Sequence, residues 1–393
     1  MFAVFQFARK SMRNLTIPAL ALGLAACDTV PGAGLNSGPS LSSGDPVPVA
    51  LLVPSGSGRG TDEILAQSLE NAARLAMRDL NGAQIDLRVY PTAGDAALAA
   101  ANAEKAVDEG AKIIIGPVYS SAANAAGRAV AGDGVNVLSF SNNGAIAGGN
   151  LFVLGPTFQN TANRMVSYAV SQGKSRFVVV YGQDTAGTQG RDAILNAISS
   201  RGATVAGTVG YALSQQDVIA AIPQIKDAVT QNSADAVFLT TDTATALPLL
   251  SQLLPEAGIS NDVAQFIGLT RWDIPAQTLS LPGVQNGWFA VPDPASTAAF
   301  SSRYSAAYGA APHPIGGLAF DAIAAIGALA SQGSSDAVTR GRLTQGAGFR
   351  GASGIFRLNG DGTNSRGLAV ATISDAQVTI LSPAPGGFGG TGF

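Results

Sequence analysis

Cysteine and histidine are almost missing from this chain of 393 residues: Cys27 and His313 are the only ones. One cysteine excludes an internal disulfide. The lone histidine stands between Pro312 and Pro314, no nucleophile elbow accompanies it, and so a Ser–His–Asp triad has no support. Metal sites need clusters of His, Cys or acids, and the sequence shows none. His313 therefore reads as a structural or exposed turn residue, and no catalytic residues are expected. Charge is scarce as well, at 12% of residues, with 23 basic against 26 acidic side chains and a net charge of −3. Basic and aromatic residues do not cluster, which excludes the common signatures of nucleic-acid binding. No apolar run is long enough to span a membrane as an ordinary helix. What the chain has in quantity is glycine, 48 residues, and apolar side chains, 46%. Its length implies two or more folding units, each able to bury a core.

The N-terminus carries a processing signal. Arg9, Lys10 and Arg13 precede a short apolar run at residues 15–22, followed by Leu24-Ala25-Ala26-Cys27. This order resembles the signal peptide and lipobox of bacterial lipoproteins. The resemblance implies that residues 1–26 are removed and that Cys27 is lipidated, which places the protein in the periplasm on a lipid anchor. Losing three basic residues and no acid takes the net charge from −3 to −6. Asp28 follows the cysteine, and the choice between inner and outer membrane stays open. Residues 27–46 are rich in Pro, Gly and Ser and read as a flexible tether, spanning roughly 25 Å as a random coil.

From residue 47 onward, apolar strands alternate with helical patterns. The first strand, PVALLVP (residues 48–54), is continuously apolar, as a strand covered on both faces must be. Its loop, Ser55-Gly56-Ser57-Gly58-Arg59-Gly60, is not a GxGxxG, because the third glycine comes one residue early. A nucleotide cofactor is not indicated. Helical spacing follows over residues 63–80, with Thr61 or Asp62 as N-cap. Residues 112–144 organise the first unit. A strand at 112–115 ends before Ser120 and Ser121, and a strand at 135–140 ends in Ser141-Asn142-Asn143-Gly144. Both deliver polar groups at the carboxyl edge of a parallel sheet, where ligands of open α/β sheets bind. A second β/α run covers residues 159–291. Helices at 297–308, 317–332 and 336–345 then return to the first lobe, and the strands at 354–358, 368–373 and 377–381 extend the second. The expected fold is α/β, two doubly wound parallel-sheet lobes. Lobe 1 comprises residues 47–155 with 294–347, lobe 2 residues 159–291 with 350–382, and residues 383–393 form a disordered tail.

The segments VALLVPSGSG, IIIGPVYSSAAN, VLSFSNN, VVYGQDTAG, QFIGLT and GFRGASGIFRLNGDG, in this order, resemble the type 1 periplasmic binding proteins, and among them the leucine/isoleucine/valine-binding group. The resemblance covers about residues 47–381. It implies a three-strand hinge, with crossings near residues 155–157, 291–293 and 349–353, and lobes that close on a small polar ligand such as an amino acid or carboxylate for import by an ABC permease. Matched residue by residue, the cleft would hold Ser57, Ser120, Ser121, Ser141, Asn142 and Asn143 from lobe 1. Lobe 2 would supply Gln183, Asp184, Thr270, Arg271, Trp272 and Asp273. The same Ser, Asn and Asp residues also suit helix capping and loop backbone, and Arg271 with Asp273 suits a local surface ion pair. The chain departs from the amino-acid binders where they place an acid for the ammonium group: Thr270-Arg271-Trp272 stands there instead. Lipobox, tether and first strand are also similar to penicillin-binding-protein activators, in which the fold contacts a peptidoglycan synthase. That is the alternative function. Trp288, Phe238, Phe266 and Phe320 are expected in the core.

Overall fold

The computed structural model describes residues 38–42 and 44–389; Cys27 and the segment resembling a signal peptide lie outside them. The VPVALLV stretch forms β1 (Val47–Val53) and shows why the first sheet is covered twice. Val49, Leu51 and Val53 enter one apolar cluster, while Ala50 and Leu52 enter another on the opposite face. Alternate side chains of a strand point to opposite faces, so an unbroken apolar run needs a partner layer on each. The elements α1 (Gly60–Met77), β2 (Ile85–Pro91), α2 (Ala96–Asp108), β3 (Ile113–Ile115), α3 (Ser120–Ala129), β4 (Asn136–Ser139) and β5 (Leu151–Val153) complete the alternation. The strands lie in the order β2-β1-β3-β4-β5, all parallel. Alanines 103, 106, 123 and 126 are fully buried on α2 and α3, which lets the two helices lie close to one face.

The second lobe repeats the plan. It contains α4 (Phe158–Ser171), β6 (Arg176–Gly182), α5 (Thr185–Ser200), β7 (Thr204–Tyr211), α6 (Gln215–Gln231), β8 (Ala236–Leu239), α7 (Leu247–Glu256), β9 (Gln265–Gly268) and β10 (Trp288–Pro292). The chain then returns to lobe 1 as α8 (Pro294–Tyr308), α9 (Gly317–Ala330) and the short α10 (Arg340–Leu343). It ends in β11 (Phe349–Gly351), β12 (Gly354–Leu358), β13 (Asn364–Arg366), β14 (Leu368–Ser374) and β15 (Gln377–Ser382). The second sheet runs β15-β14-β10-β9-β8-β6-β7, with β14 and β15 antiparallel at one edge.

Three expectations are corrected. The strand at 354–358 does not extend the second sheet. It is the centre of a separate three-stranded sheet, β11-β12-β13, whose Phe349, Phe356 and Leu358 belong to the lobe 1 core beside α9. The third crossing therefore lies at Gly367, between β13 and β14, and not at residues 349–353. The tail is ordered as far as it is described, since Pro383 accepts a hydrogen bond from Arg164 and the Phe388 ring lies against Arg357. The end of the tether is held too: Leu41 donates its N–H to Ser335 O at 2.8 Å and packs on the lobe 1 core.

The crossings are bound to one another by buried side chains. Arg366, 7% exposed, pairs with the fully buried Asp321 at 3.1 Å. It also donates to Leu154 O on the first crossing and, at 3.2 Å, to Ser353 Oγ. The Ser353 carbonyl accepts the Asp293 N–H at 3.1 Å, which brings in the second crossing. Asn364 donates to Val153 O and Gly155 O at 2.9 and 2.8 Å, and Asn160 of α4 donates to Asn364 O at 2.8 Å.

Trp272 is not in the cleft. It is fully buried in the lobe 2 core, stacked on Phe289 at 6.2 Å between centroids. Gly268 and Gly287 make the room, because a Cβ on either would lie 2.4 Å from the ring.

Two stability measurements follow. Asp321→Asn strands the Arg366 charge and costs about 3–5 kcal/mol in denaturant unfolding; a loss below about 1 kcal/mol would contradict the hinge role. Trp272→Ala costs about 3–5 kcal/mol as a core truncation. Trp272→Phe costs less, because the indole N–H it removes is buried without a partner.

Candidate functional site

The strand orders place the site. In lobe 1 the order reverses between β1 and β3, and in lobe 2 between β6 and β8. Crevices open outside the carboxyl ends of strands at such switch points, because the following loops diverge there. The sequence-expected residues sit on these loops or beside them.

In lobe 1, Ser120 opens α3 and its Oγ lies 3.2 Å from Ser141 Oγ, so the loops after β3 and β4 are joined. Ser141 is buried and accepts the Asn143 N–H at 3.1 Å. Asn143 in turn accepts the Ala145 N–H at 3.0 Å. Ser121 and Asn142 are exposed. Ser57 Oγ accepts the Arg59 N–H at 3.1 Å. Neither Thr61 nor Asp62 caps α1: Arg59 is the N-cap residue, without a side-chain cap bond. Asp62 lies inside the first turn and is 3% exposed. It accepts from Arg59 Nε at 2.9 Å and from the Tyr119 hydroxyl at 2.6 Å. The Arg59 guanidinium lies 5.6 Å from the centre of the Tyr119 ring. Burial works to raise the Asp62 pKa, yet the bonds from Tyr119, Ser57 and Arg59 outweigh it and hold the carboxyl below its ordinary value. Its contribution to stability is present above the ordinary carboxylate pKa and is lost as pH falls through the lowered one.

In lobe 2, Asp184 is exposed and spends one carboxylate oxygen on the Gly187 N–H at 2.7 Å, capping α5. Gln183 is exposed beside it. Thr270 donates to Thr241 O at 3.0 Å, which ties the loop after β9 to that after β8. Arg271 Nε donates to Asp273 Oδ1 at 2.9 Å, and a second bond makes the pair bidentate. Among the described residues no hydrogen bond joins the lobe 1 set to the lobe 2 set.

A cavity of about 240 Å³ does bring the lobes together. Arg271 is its only wall residue among those expected from sequence. The hinge contributes Pro156, Pro292, Ser353, Arg366 and Leu368, and lobe 1 contributes Phe300, His313 and Ile315. His313 is the structural turn residue expected: its carbonyl accepts the Gly316 N–H at 2.8 Å, its N–H bonds to Ser68 Oγ at 2.8 Å and its Nδ1 accepts from Ile315 N at 3.4 Å, and it lies half-buried on the cavity wall. Burial lowers its pKa, which favours the neutral ring. Arg271 and Arg366 are both wall residues, and the carboxylates that pair with them, Asp273 and Asp321, are not. Arg366 Nε is buried without a partner.

Sequence reasoning missed Tyr119 and Arg366, and did not place His313 beside the cavity. The flanking prolines were the available signal for His313, since rigid X-Pro turns hold a ring in place. Among the described residues no group of His, Cys, Asp and Glu could hold a metal ion, and no helix is long and apolar enough to cross a membrane.

The sequence pattern of one family, the periplasmic binding proteins, matches residues 46–377. No curated protein matches the sequence. Solved structures share the fold. A Rhodospirillum rubrum protein assigned to branched-chain amino acid ABC transport is 17% identical with a TM-score of 0.73, over 86% of this chain and 100% of that one. An ABC transporter substrate-binding protein of Desulfitobacterium hafniense, solved with Leu, is 19% identical with a TM-score of 0.61, over 86% and 100%. A solute-binding protein of R. palustris, solved with benzoate, is 18% identical with a TM-score of 0.54, over 87% and 98%. With its two switch-point lobes, triple crossing and a family match over most of its length, the chain belongs to the periplasmic binding protein family.

Proposed function

We propose that this protein is a lipid-anchored solute receptor, not an enzyme, and that it closes its lobes on a small carboxylate with an apolar body for delivery to an ABC importer. The observation that carries the reading is the interlobe cavity, whose walls hold Arg271 and Arg366 and no carboxylate. An ammonium group would find no anionic partner there. An oxyanion finds guanidinium donors, and its apolar part meets Pro156, Phe300 and Leu368. Neighbours of the same fold were solved with benzoate and with Leu, so the fold takes carboxylates with and without an ammonium group, and the choice rests on the cavity walls. Ser120, Ser141, Asn143 and Gln183 would form the outer polar rim. Cys27 would carry the anchor, with the folded part in the periplasm.

Melting curves test the reading. Benzoate or a branched aliphatic carboxylate at a hundred times its Kd adds about 2.7 kcal/mol to native stability, and leucine adds less. Arg271→Glu weakens carboxylate binding about tenfold or more, roughly 1.4 kcal/mol. A shift with leucine alone would sink the carboxylate assignment. No shift with any solute, together with recovery of a peptidoglycan synthase from membranes, would favour the activator reading. Cys27→Ser moves the protein from the membrane to the soluble fraction and abolishes fatty-acid labelling; retention on the membrane would contradict the anchor.

A further inference from the structure

The C-terminal tail does more than end the chain. It leaves β15 in lobe 2, where Arg164 of α4 donates to Ser382 Oγ at 2.6 Å and to Pro383 O at 3.3 Å. Ala384 packs on the lobe 2 core. Pro385 O then passes over the third crossing, 3.1 Å from where a Cβ on Gly367 would be. Phe388 reaches the small sheet that belongs to lobe 1. Its ring lies 4.7 Å from the Arg357 guanidinium of β12. It also fills the space beside Gly348, where a Cβ would meet it at 2.6 Å. Gly348 has φ +67°, so a side chain there is disfavoured twice over.

From these contacts we infer that residues 383–388 are a fourth connection between the lobes, a strap that limits how far the hinge opens. Three crossings are continuous chain and bend at the hinge. The strap is different: it is bound to lobe 2 at Pro383 and Ala384, and among the described residues it meets lobe 1 at Phe388. Four residues lie between Pro383 and Phe388, and at full extension the five steps span no more than roughly 18 Å. Lobe separation beyond the reach of this short segment requires the Phe388 ring to leave Arg357. The strap thus favours the lobe arrangement of this structure over a more open one before any ligand is present. The inference rests on the hinged reading of the two lobes, and its test uses no ligand, so failure of the carboxylate assignment would leave it standing.

The test measures the distance between spin labels on Lys105→Cys in α2 and Lys226→Cys in α6, both exposed, in the full chain carrying Cys27→Ser. Phe388→Ala and truncation after Ser382 should each lengthen the mean interlobe distance and broaden its distribution. Arg357→Gln keeps the tail and withdraws the charge from the ring; it should shift the distribution the same way, and it reads the contact even if Phe388→Ala folds poorly. The parent distribution in both Phe388→Ala and Arg357→Gln would overturn the proposal.

Discussion

The molecule depends on one buried ion pair. Arg366 and Asp321 meet where three chain crossings converge, and each takes further hydrogen bonds from or to those segments. A buried pair of this kind adds little net stability over a well-packed apolar substitute. What it adds is geometry. Leu154 and Ser353 belong to segments far apart in sequence, and the guanidinium fork gives them a common reference point. Each lobe can hold its shape through its own two-sided core, while their mutual orientation is referred to this cluster.

That arrangement explains the charge of the cleft. The guanidinium that organises the hinge also forms part of the cavity wall, and Asp321 is turned away into lobe 1, bonded to Ala352 N at 2.6 Å. Arg271 repeats the pattern from the other lobe with Asp273 as its partner.

The fold was legible because it rests on local patterns. VPVALLV and the isoleucine run at 113–115 can only be strands buried on both faces, and Ala-rich helical spacing between them leaves a parallel sheet as the solution. The polar loops were legible for the same reason, since strand ends fix where Ser120, Ser141 and Gln183 fall. What was hidden depends on partners distant in the chain. Trp272 sits among charged residues in sequence, but two glycines, Gly268 and Gly287, open the core to it. His313 read as a turn residue, but Ser68, 245 positions away, fixes that turn beside the cavity. Nothing near Arg366 marks it, because Asp321 and Leu154 are contributed by other segments. The strand at 354–358 could pair with either sheet on pattern alone; the large side chains Phe349 and Phe356, packing under α9, decide for lobe 1.

The most direct test of the central claim is saturation-transfer NMR on the protein with benzoate and leucine in one sample. The account predicts transfer to the benzoate ring protons, reduced by Arg271→Glu, and weaker transfer to the leucine methyls. Transfer to leucine with none to benzoate would contradict it.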